Sequence, residues 1–192
     1  MLYKFIRTIG FIIFKILYRF EIVDYEKIPM GVPLVICPNH KSNWDPIFVS
    51  ALIKFQIHWM AKKELWEVPL LGNLISALGA FAVDRDAVDI KAIKTSMRLL
   101  KENKAIGIFM EGTRVKEVNY SNAKAGAAVI AHRGSALIVP VYIQGNYFPF
   151  KKMKLLIKEP IDIREFPKQT PEQYEKIAVD ILKSIYSGVE KN

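Results

Sequence analysis

Short apolar segments alternate with helical patterns along this chain, and this alternation most constrains the fold. Strands are predicted at residues 21–25, 33–37, 57–60, 79–83, 105–110, 136–143 and 154–157. Helices are predicted at residues 45–53, 62–66, 70–78, 88–102, 123–132 and 171–186. Strands that alternate with helices are typical of an α/β domain. We predict a single α/β domain with a mixed, mostly parallel sheet flanked by helices, in which residues 154–157 form an edge strand.

The length and charge of the chain narrow its possible partners. It has 192 residues, enough for one domain with its own core. Its formal net charge of +9 favours anionic partners such as nucleic acid, anionic lipid or phosphorylated substrates. The lysines are scattered, and no nucleic-acid-binding motif or aromatic platform accompanies them. We therefore predict an anionic membrane surface as a partner and no nucleic acid.

The cysteine and the histidines give no sign of a metal centre. A single cysteine, Cys37, excludes an intrachain disulfide, and its place within an apolar run predicts a core position. The three histidines, His40, His58 and His132, do not form an HExxH pair. We predict no metal site.

The first twenty residues have the pattern of an amphipathic helix. At 100° per residue, one side carries Lys4, Arg7, Thr8, Lys15 and Arg19, and the other carries Phe5, Ile6, Ile9, Ile12, Ile13, Ile16, Leu17 and Phe20. Only seven uncharged residues run between Arg7 and Lys15, whereas a spanning helix needs about 20 apolar residues. We predict that residues 1–20 lie on an anionic membrane surface, with aromatic Phe5 and Phe11 exposed. A secretory signal and a helix docked on the protein's own core are the alternatives.

Polar clusters follow three of the predicted strands. His40 follows 33–37, Asp84 and Arg85 follow 79–83, and Glu111 to Arg114 follow 105–110. In open α/β sheets, the ligand crevice lies beyond the carboxyl ends of the strands. The three clusters are therefore predicted to meet in one crevice.

The pair His40 and Asp45 indicates proton transfer. A histidine suits removal of a proton from a hydroxyl near neutral pH, and a nearby carboxylate fixes its tautomer and stabilises the imidazolium. Because no serine or cysteine nucleophile accompanies the pair, we predict direct attack by an activated substrate hydroxyl. As alternatives, His40 is an exposed loop histidine, or Asp45 is an N-cap with Pro46 at the first helical position.

Four blocks of the sequence resemble the lysophosphatidic acid acyltransferases, the 1-acyl-glycerol-3-phosphate acyltransferases of the glycerophospholipid acyltransferase superfamily. They occur in the family's order: Asn39-His40 to Asp45 (NHxxxxD), Gly79 to Arg85 (GxxFxxR), Phe109 to Arg114 (FPEGTR) and Val139 to Ile143 (VPV-type). Met110 stands where the family often has proline. The resemblance covers about residues 30 to 145.

The resemblance implies roles for the site residues. His40 would take the hydroxyl proton and Asp45 would hold the imidazole. Arg85 and Arg114 would grip the acceptor's phosphate, although Arg85 has an alternative as an ion-pair partner of Asp84, Asp86 or Asp89. Glu111 would accept a hydrogen bond from the glycerol hydroxyl or would orient Arg114. Gly112 and Thr113 would donate their backbone N–H groups to an anion. Lys124 would bind a phosphate.

Two further features of the site are left open by the sequence. Donors for the oxyanion are expected among the backbone groups near residues 39–41 or near Pro140. An acyl-chain groove is expected along a set of apolar residues that could equally be ordinary core: Leu70, Leu71, Leu74, Ile75, Leu78 and Phe81.

The implied activity belongs to phospholipid biosynthesis. Residues 21–192 would form an acyltransferase domain that moves a fatty acyl group from acyl-CoA or acyl carrier protein to a lysophospholipid acceptor, with no cofactor beyond the donor. The protein would lie peripherally on the cytoplasmic face of the cell membrane. The alternatives are another lyso-lipid or hydroxyl acceptor, and a non-catalytic basic membrane-binding module.

Overall fold

The computed structural model describes residues 2–85 and 87–188, and it has helices on both faces of one seven-stranded sheet. The strands are β1 Arg19–Val23, β2 Leu34–Pro38, β3 Ile57–Lys62, β4 Phe81–Val83, β5 Ala105–Gly107, β6 Leu137–Gln144 and β7 Lys152–Ile157. The α-helices are α1 Leu2–Leu17, α2 Asp45–Leu52, α3 Leu71–Ala77, α4 Ile90–Lys101, α5 Gly126–Arg133 and α6 Pro171–Tyr186. Short 3₁₀ turns cover Tyr25–Lys27, Lys63–Trp66 and Tyr120–Asn122.

The sheet has the order β1-β7-β6-β2-β5-β3-β4. Every neighbouring pair is parallel except β6 and β7. The predicted α/β domain with a mixed, mostly parallel sheet is therefore confirmed. Because β2 to β6 run the same way, the loops that follow them leave the sheet at one edge.

Two halves of the core cover the two faces of the sheet. Leu34 and Ile36 of β2 pack with α1 and α2, while Val35 and Cys37 pack with α4, α5 and α6. All four side chains are buried, because a central parallel strand has helices on both sides. Burial raises the pKa of the Cys37 thiol, and the predicted core position of this residue is confirmed.

Three local predictions are wrong. Residues 154–157 do not form an edge strand, because β7 lies between β1 and β6. The strand predicted to reach residue 110 ends at Gly107, where the chain begins to turn into the site. Asp45 does not cap α2: the N-cap is Trp44, and the carboxylate of Asp45 turns back to bind the preceding loop.

Helix α1 has three distinct sides, and it ends at Leu17, three residues before the predicted boundary. An inner side, spaced by four, three and four residues, faces α2 and the core: Tyr3, Arg7, Gly10 and Phe14. An apolar outer stripe is exposed: Leu2, Phe5, Ile9, Ile12, Ile13 and Ile16. Between them lie exposed Lys4 and Lys15.

The helix thus combines a docked side with an exposed apolar side. Arg7, predicted on the basic side, instead donates to the carbonyl of Ile53 at 3.2 Å. Phe5 and Phe11 are exposed, as predicted. Within residues 2–85 and 87–188, no helix has both the length and the apolar character needed to span a bilayer.

Candidate active site

The loops after four parallel strands converge at one edge of the sheet. His40 lies beyond β2, Arg85 beyond β4, Glu111 beyond β5 and Tyr147 beyond β6. Direct hydrogen bonds join these loops: the amide of His40 donates to Glu111, Arg85 donates to the Gly112 carbonyl, and Tyr147 donates to Asp45. The clusters predicted to meet in one crevice do meet.

His40 and Asp45 form a hydrogen-bonded pair. The Nδ1 atom of His40 lies 2.9 Å from Oδ2 of Asp45. The carboxylate is fully buried, and the imidazole side chain keeps 13% of its surface exposed. The same Oδ2 atom accepts the amides of Lys41 at 2.6 Å and Ser42 at 2.7 Å. Asp45 therefore holds the preceding loop in place through these amides, and its Oδ2 atom is a fixed hydrogen-bond acceptor for the imidazole.

Aromatic rings fix the plane of the imidazole. The His40 ring stacks on Phe109 with centroids 3.9 Å apart, and Phe109 stacks in turn on Trp59 at 5.0 Å. The Trp59 indole lies against Gly107, where a side chain would collide with it. His40 is therefore held on two sides, by a carboxylate and by an aromatic stack, rather than being a free loop histidine.

Glu111 supports the loop of residues 39–45, which carries His40 and Asp45, from inside the protein. One carboxylate oxygen accepts the amide of His40 at 2.6 Å, and the other accepts the hydroxyl of Tyr186 at 2.5 Å. Only 4% of the residue is exposed. Burial raises the pKa of Glu111 to about 7, with a further contribution from the negative charge of Asp45. The structure thus gives Glu111 partners other than the expected glycerol hydroxyl or Arg114.

The backbone amides expected to bind an oxyanion are already engaged. The amide of Asn39 donates to the Val141 carbonyl, that of His40 to Glu111 and that of Lys41 to Asp45. Pro140 has no amide hydrogen. The Gly112 amide, expected to meet an anion, donates to the Phe109 carbonyl at 3.1 Å. These N–H groups build the site and are not open to a substrate.

Basic side chains line a cavity beside the pair. A cavity of about 520 Å³ is bounded by Arg85, Lys124 and the Glu111–Thr113 turn, and it is also lined by Phe109, the ring that stacks on His40. Arg85 reaches the Gly112 carbonyl, and its partial burial lowers its pKa. Lys124 is tied to the turn by its own amide, which donates to Met110 at 2.8 Å.

Two of the alternative partners proposed for Arg85, Asp84 and Asp89, bind other groups. Asp84 pairs with Lys63 at 2.5 Å, and Asp89 caps α4 by accepting the amide of Ala92. Asp86 lies outside the described residues. Arg85 is therefore directed to the turn of the third polar cluster.

Arg114 and Thr113 lie at the rim of the site. Both are exposed. The amide of Val115 donates to the carbonyl of His40 at 2.9 Å. Arg114, the residue before Val115, is therefore held next to the loop of residues 39–45. Met110, the departure from the family's proline, is fully buried in the core.

Two tyrosines of the site escaped the sequence analysis. The hydroxyl of Tyr147 donates to Oδ1 of Asp45 at 2.8 Å, and that of Tyr186 donates to Glu111. Desolvation by burial raises the pKa of both phenols, so both stay protonated donors. The one available signal was the place of Tyr147, just beyond strand β6 at the same edge as His40; Tyr186, at the end of α6, had none.

The expected acyl-chain groove is not part of the cavity beside the pair. Helix α3 and its flanks carry much of that apolar set, with Leu70 83% exposed and Leu74 47% exposed, while Phe81 packs on the core. A role of this surface in acyl binding stays a prediction.

Known proteins are similar to this chain in sequence. Residues 19–144 match the sequence model of the acyltransferase family. A 1-acyl-sn-glycerol-3-phosphate acyltransferase of Bacillus subtilis is 35% identical over 171 residues, covering 86% of this chain and 85% of that protein. One from Streptococcus pneumoniae is 30% identical over 161 residues, covering 80% of this chain and 60% of that protein. The match to the family's sequence model covers more than half of the chain, so the chain belongs to the acyltransferase family. Within that family it groups with the 1-acyl-sn-glycerol-3-phosphate acyltransferases.

A solved structure has the same fold. The crystal structure of the 1-acyl-sn-glycerophosphate acyltransferase PlsC from Thermotoga maritima superposes with a TM-score of 0.74, covering 98% of this chain and 81% of that one. The sequence identity is 23%, so this likeness concerns the fold.

Proposed function

We propose that the protein transfers a fatty acyl group from an acyl thioester to the free hydroxyl of 1-acyl-glycerol-3-phosphate, giving phosphatidic acid for phospholipid biosynthesis. The observation that carries this proposal is the His40–Asp45 pair, 2.9 Å apart, beside a cavity lined by Arg85 and Lys124. Acyl-CoA and acyl carrier protein are both thioester donors that this chemistry accepts.

His40 acts as the general base. Because its Nδ1 atom is bonded to Asp45, Nε2 is the nitrogen that takes the hydroxyl proton. The acceptor oxygen then bonds to the thioester carbon, the carbon–sulfur bond breaks, and the imidazolium returns the proton to the departing thiolate. A base in this position contributes roughly 10²- to 10⁴-fold to the rate.

The basic groups bind the phosphate of the acceptor. Guanidinium groups present paired donors to phosphate oxygens and keep their charge near neutral pH. Arg85 and Lys124 line the cavity, and exposed Arg114 directly follows Thr113, which also lines it. Glu111 also borders the cavity, and its carboxylate oxygens accept the His40 amide and the Tyr186 hydroxyl. Because burial raises the pKa of Glu111 to about 7, its negative charge opposes a bound phosphate less than that of an ordinary carboxylate would.

A membrane surface delivers the acceptor. The outer apolar stripe of α1 is exposed and is flanked by Lys4 and Lys15, which is the pattern of a helix lying in the plane of anionic lipid. We place the protein peripherally on the cytoplasmic face of the cell membrane, where thioester donors are available. Residues 1–20 then form the docking segment and residues 21–192 the acyltransferase domain.

The test is thioester consumption with lysophosphatidic acid in detergent micelles. We expect His40→Ala to lower kcat at least about 100-fold, because the general base is lost. Wild-type rates in this variant would remove His40 from the mechanism. No thioester consumption by the wild-type protein itself would favour a non-catalytic membrane-binding module.

Acceptor specificity is tested with Arg114→Ala against Arg133→Ala, a matched control at the exposed end of α5. Arg114→Ala is expected to raise KM for phosphate-bearing acceptors and to leave phosphate-free acceptors unchanged, whereas Arg133→Ala changes neither. Equal loss with both kinds of acceptor would contradict a phosphate-binding role and favour another hydroxyl acceptor.

A further inference from the structure

We infer that Tyr147 is a positioning residue for the His40–Asp45 pair and that helix α1 holds it in place. This inference rests on the proposed function, and it adds to the membrane-docking role of α1 a second role inside the active site.

Tyr147 completes the hydrogen bonding of Asp45. The Oδ2 atom accepts His40, Lys41 and Ser42, and the Oδ1 atom accepts the Tyr147 hydroxyl at 2.8 Å. The carboxylate is fully buried, so each of its oxygens depends on protein donors. The orientation in which Oδ2 faces the imidazole is thus fixed from the other side by Tyr147.

The ring of Tyr147 is seated on side chains from α1 and α2. Its centroid lies 5.9 Å from Phe48 of α2, 6.4 Å from Phe14 of α1 and 6.1 Å from Tyr18, just past the end of α1. Phe14 also packs edge-on against Phe48 at 5.1 Å. Phe14 is the one residue of α1 that is fully in the core, at 4% exposure.

The backbone that carries Tyr147 is tied to the end of α1 as well. The amide of Phe150 donates to the carbonyl of Leu17 at 2.6 Å, and the hydroxyl of Tyr18 donates to the carbonyl of Tyr147 at 3.3 Å. On its other side the loop is held by Lys41, whose ammonium donates to the Gly145 carbonyl at 2.9 Å. The loop therefore spans from the catalytic segment to α1, with Tyr147 between the two.

The two sides of α1 then have separate consequences. The outer stripe decides where the protein sits, and the inner residue Phe14 decides how firmly Asp45 is held. Loss of the inner contact is expected to slow catalysis even when the substrate is presented in micelles and no vesicle has to be bound.

The experiment measures kcat and KM for lysophosphatidic acid, at saturating acyl-CoA, for variants of the full chain in detergent micelles. Tyr147→Phe is expected to lower kcat roughly 10-fold or more while KM stays within about 2-fold, because one hydrogen bond to a buried charge is lost without a change in ring packing. The control Tyr25→Phe removes a phenol hydroxyl that bonds the Lys54 amide away from the pair, and wild-type kcat is expected.

Phe14→Ala tests the connection to α1, with Leu100→Ala as its matched control in the core half on the other face of the sheet. Both truncations lower stability, so the rates are divided by the folded fraction measured by circular dichroism. If Phe14→Ala does not fold, the milder variant Phe14→Leu replaces it. Only the Phe14 variants are expected to lower kcat of the folded enzyme. Wild-type kcat in them would overturn the role of α1.

The outcomes separate this inference from the proposed function. Wild-type kcat in Tyr147→Phe, together with an inactive His40→Ala, would overturn the positioning role and leave the proposed function standing. A His40→Ala variant with the wild-type rate would overturn both.

Discussion

Asn39 joins the loop of residues 39–45, which carries His40 and Asp45, to strand β6 through its side-chain amide. Its Nδ2 atom donates to the carbonyl of Ile143 at 3.2 Å, and its Oδ1 atom accepts the Ile143 amide at 2.6 Å. The residue is fully buried. The side chain therefore makes the same kind of hydrogen bonds to β6 that a neighbouring strand would make, immediately before His40.

Replacement of Asn39 by alanine should destabilise the protein. The change leaves both backbone groups of Ile143 buried without a partner, at a cost of about 1–3 kcal/mol each, so we expect a loss of roughly 3 kcal/mol in the free energy of unfolding. Urea denaturation measures it. The exposed Asn43 is the control, and Asn43→Ala should change stability by less than about 0.5 kcal/mol. Equal effects at the two positions would contradict the bridging role.

Glu111 should make stability depend on pH. Its pKa is about 7 in the folded protein, mainly through burial, against an ordinary value of 4.5. The folded state therefore holds the proton more tightly, the stabilisation is complete below pH 4.5, and it is lost as the pH rises towards 7. The loss amounts to roughly 3 kcal/mol.

The Glu111→Gln variant should lack this loss, because the amide stays neutral and can still accept the His40 amide. The free energy of unfolding, measured by urea denaturation across that pH interval, should fall less steeply for Glu111→Gln than for the wild type. Glu117→Gln, at an exposed position, should keep the wild-type slope. Parallel curves for all three proteins would refute the assignment.

The His40–Asp45 pair could be identified from the residues alone because its two members are near in the chain. His40 and Asp45 are five residues apart, so their spacing alone brings them together. Tyr147 and Tyr186 lie 102 and 75 residues from their carboxylate partners, and nothing local marks them. The N-cap prediction for Asp45 was wrong because the local helix pattern does not show that its carboxylate binds the amides of the preceding loop.

At the scale of elements, β5 is a short strand that supports the aromatic stack under His40. Its last residue, Gly107, leaves room for the indole of Trp59, which is 9% exposed and stacks through Phe109 on the imidazole. A methyl group at this position would collide with the indole ring. The glycine is thus required by close packing and not by its backbone angles.

Gly107→Ala should therefore cost roughly 1–3 kcal/mol of stability, as overpacking does, and should lower kcat by displacing the stack. The matched control is Gly126→Ala at the start of α5, where an added Cβ meets nothing within 4 Å and alanine favours the helix. Its stability should be unchanged or slightly higher. Thermal unfolding of both variants checks this, and a neutral Gly107→Ala would disprove the packing argument.

Element type was predictable where the pattern is local, and strand order was not. The helix periodicity of α6 predicted its observed bounds, Pro171–Tyr186, because its capping box and its apolar face lie within the element. The edge position assigned to residues 154–157 failed because β1 joins the sheet beside β7, more than a hundred residues away along the chain. Pairing at that distance depends on the whole fold.

At the scale of the whole molecule, the proposed membrane docking combines the apolar stripe of α1 with the basic groups beside it. Membrane-surface attraction is worth about 1 kcal/mol for each basic residue near anionic lipid, and apolar burial adds to it. The net charge of +9 alone would attract the protein to anionic lipid in any orientation. The position of the basic residues relative to the apolar stripe therefore decides which face binds.

A charge-matched pair of variants separates position from total charge. Lys4→Glu with Lys15→Glu reverses the charges beside the stripe, and Lys91→Glu with Lys94→Glu makes the same change on exposed α4, across the sheet. We expect the first variant to bind anionic vesicles roughly 30-fold more weakly in a sedimentation assay, and the second to bind within about 3-fold of the wild type. Equal weakening of vesicle binding in the two variants would mean that net charge, and not the face formed by α1, directs the protein to the membrane. Unchanged binding in both variants would mean that the apolar stripe alone anchors the protein.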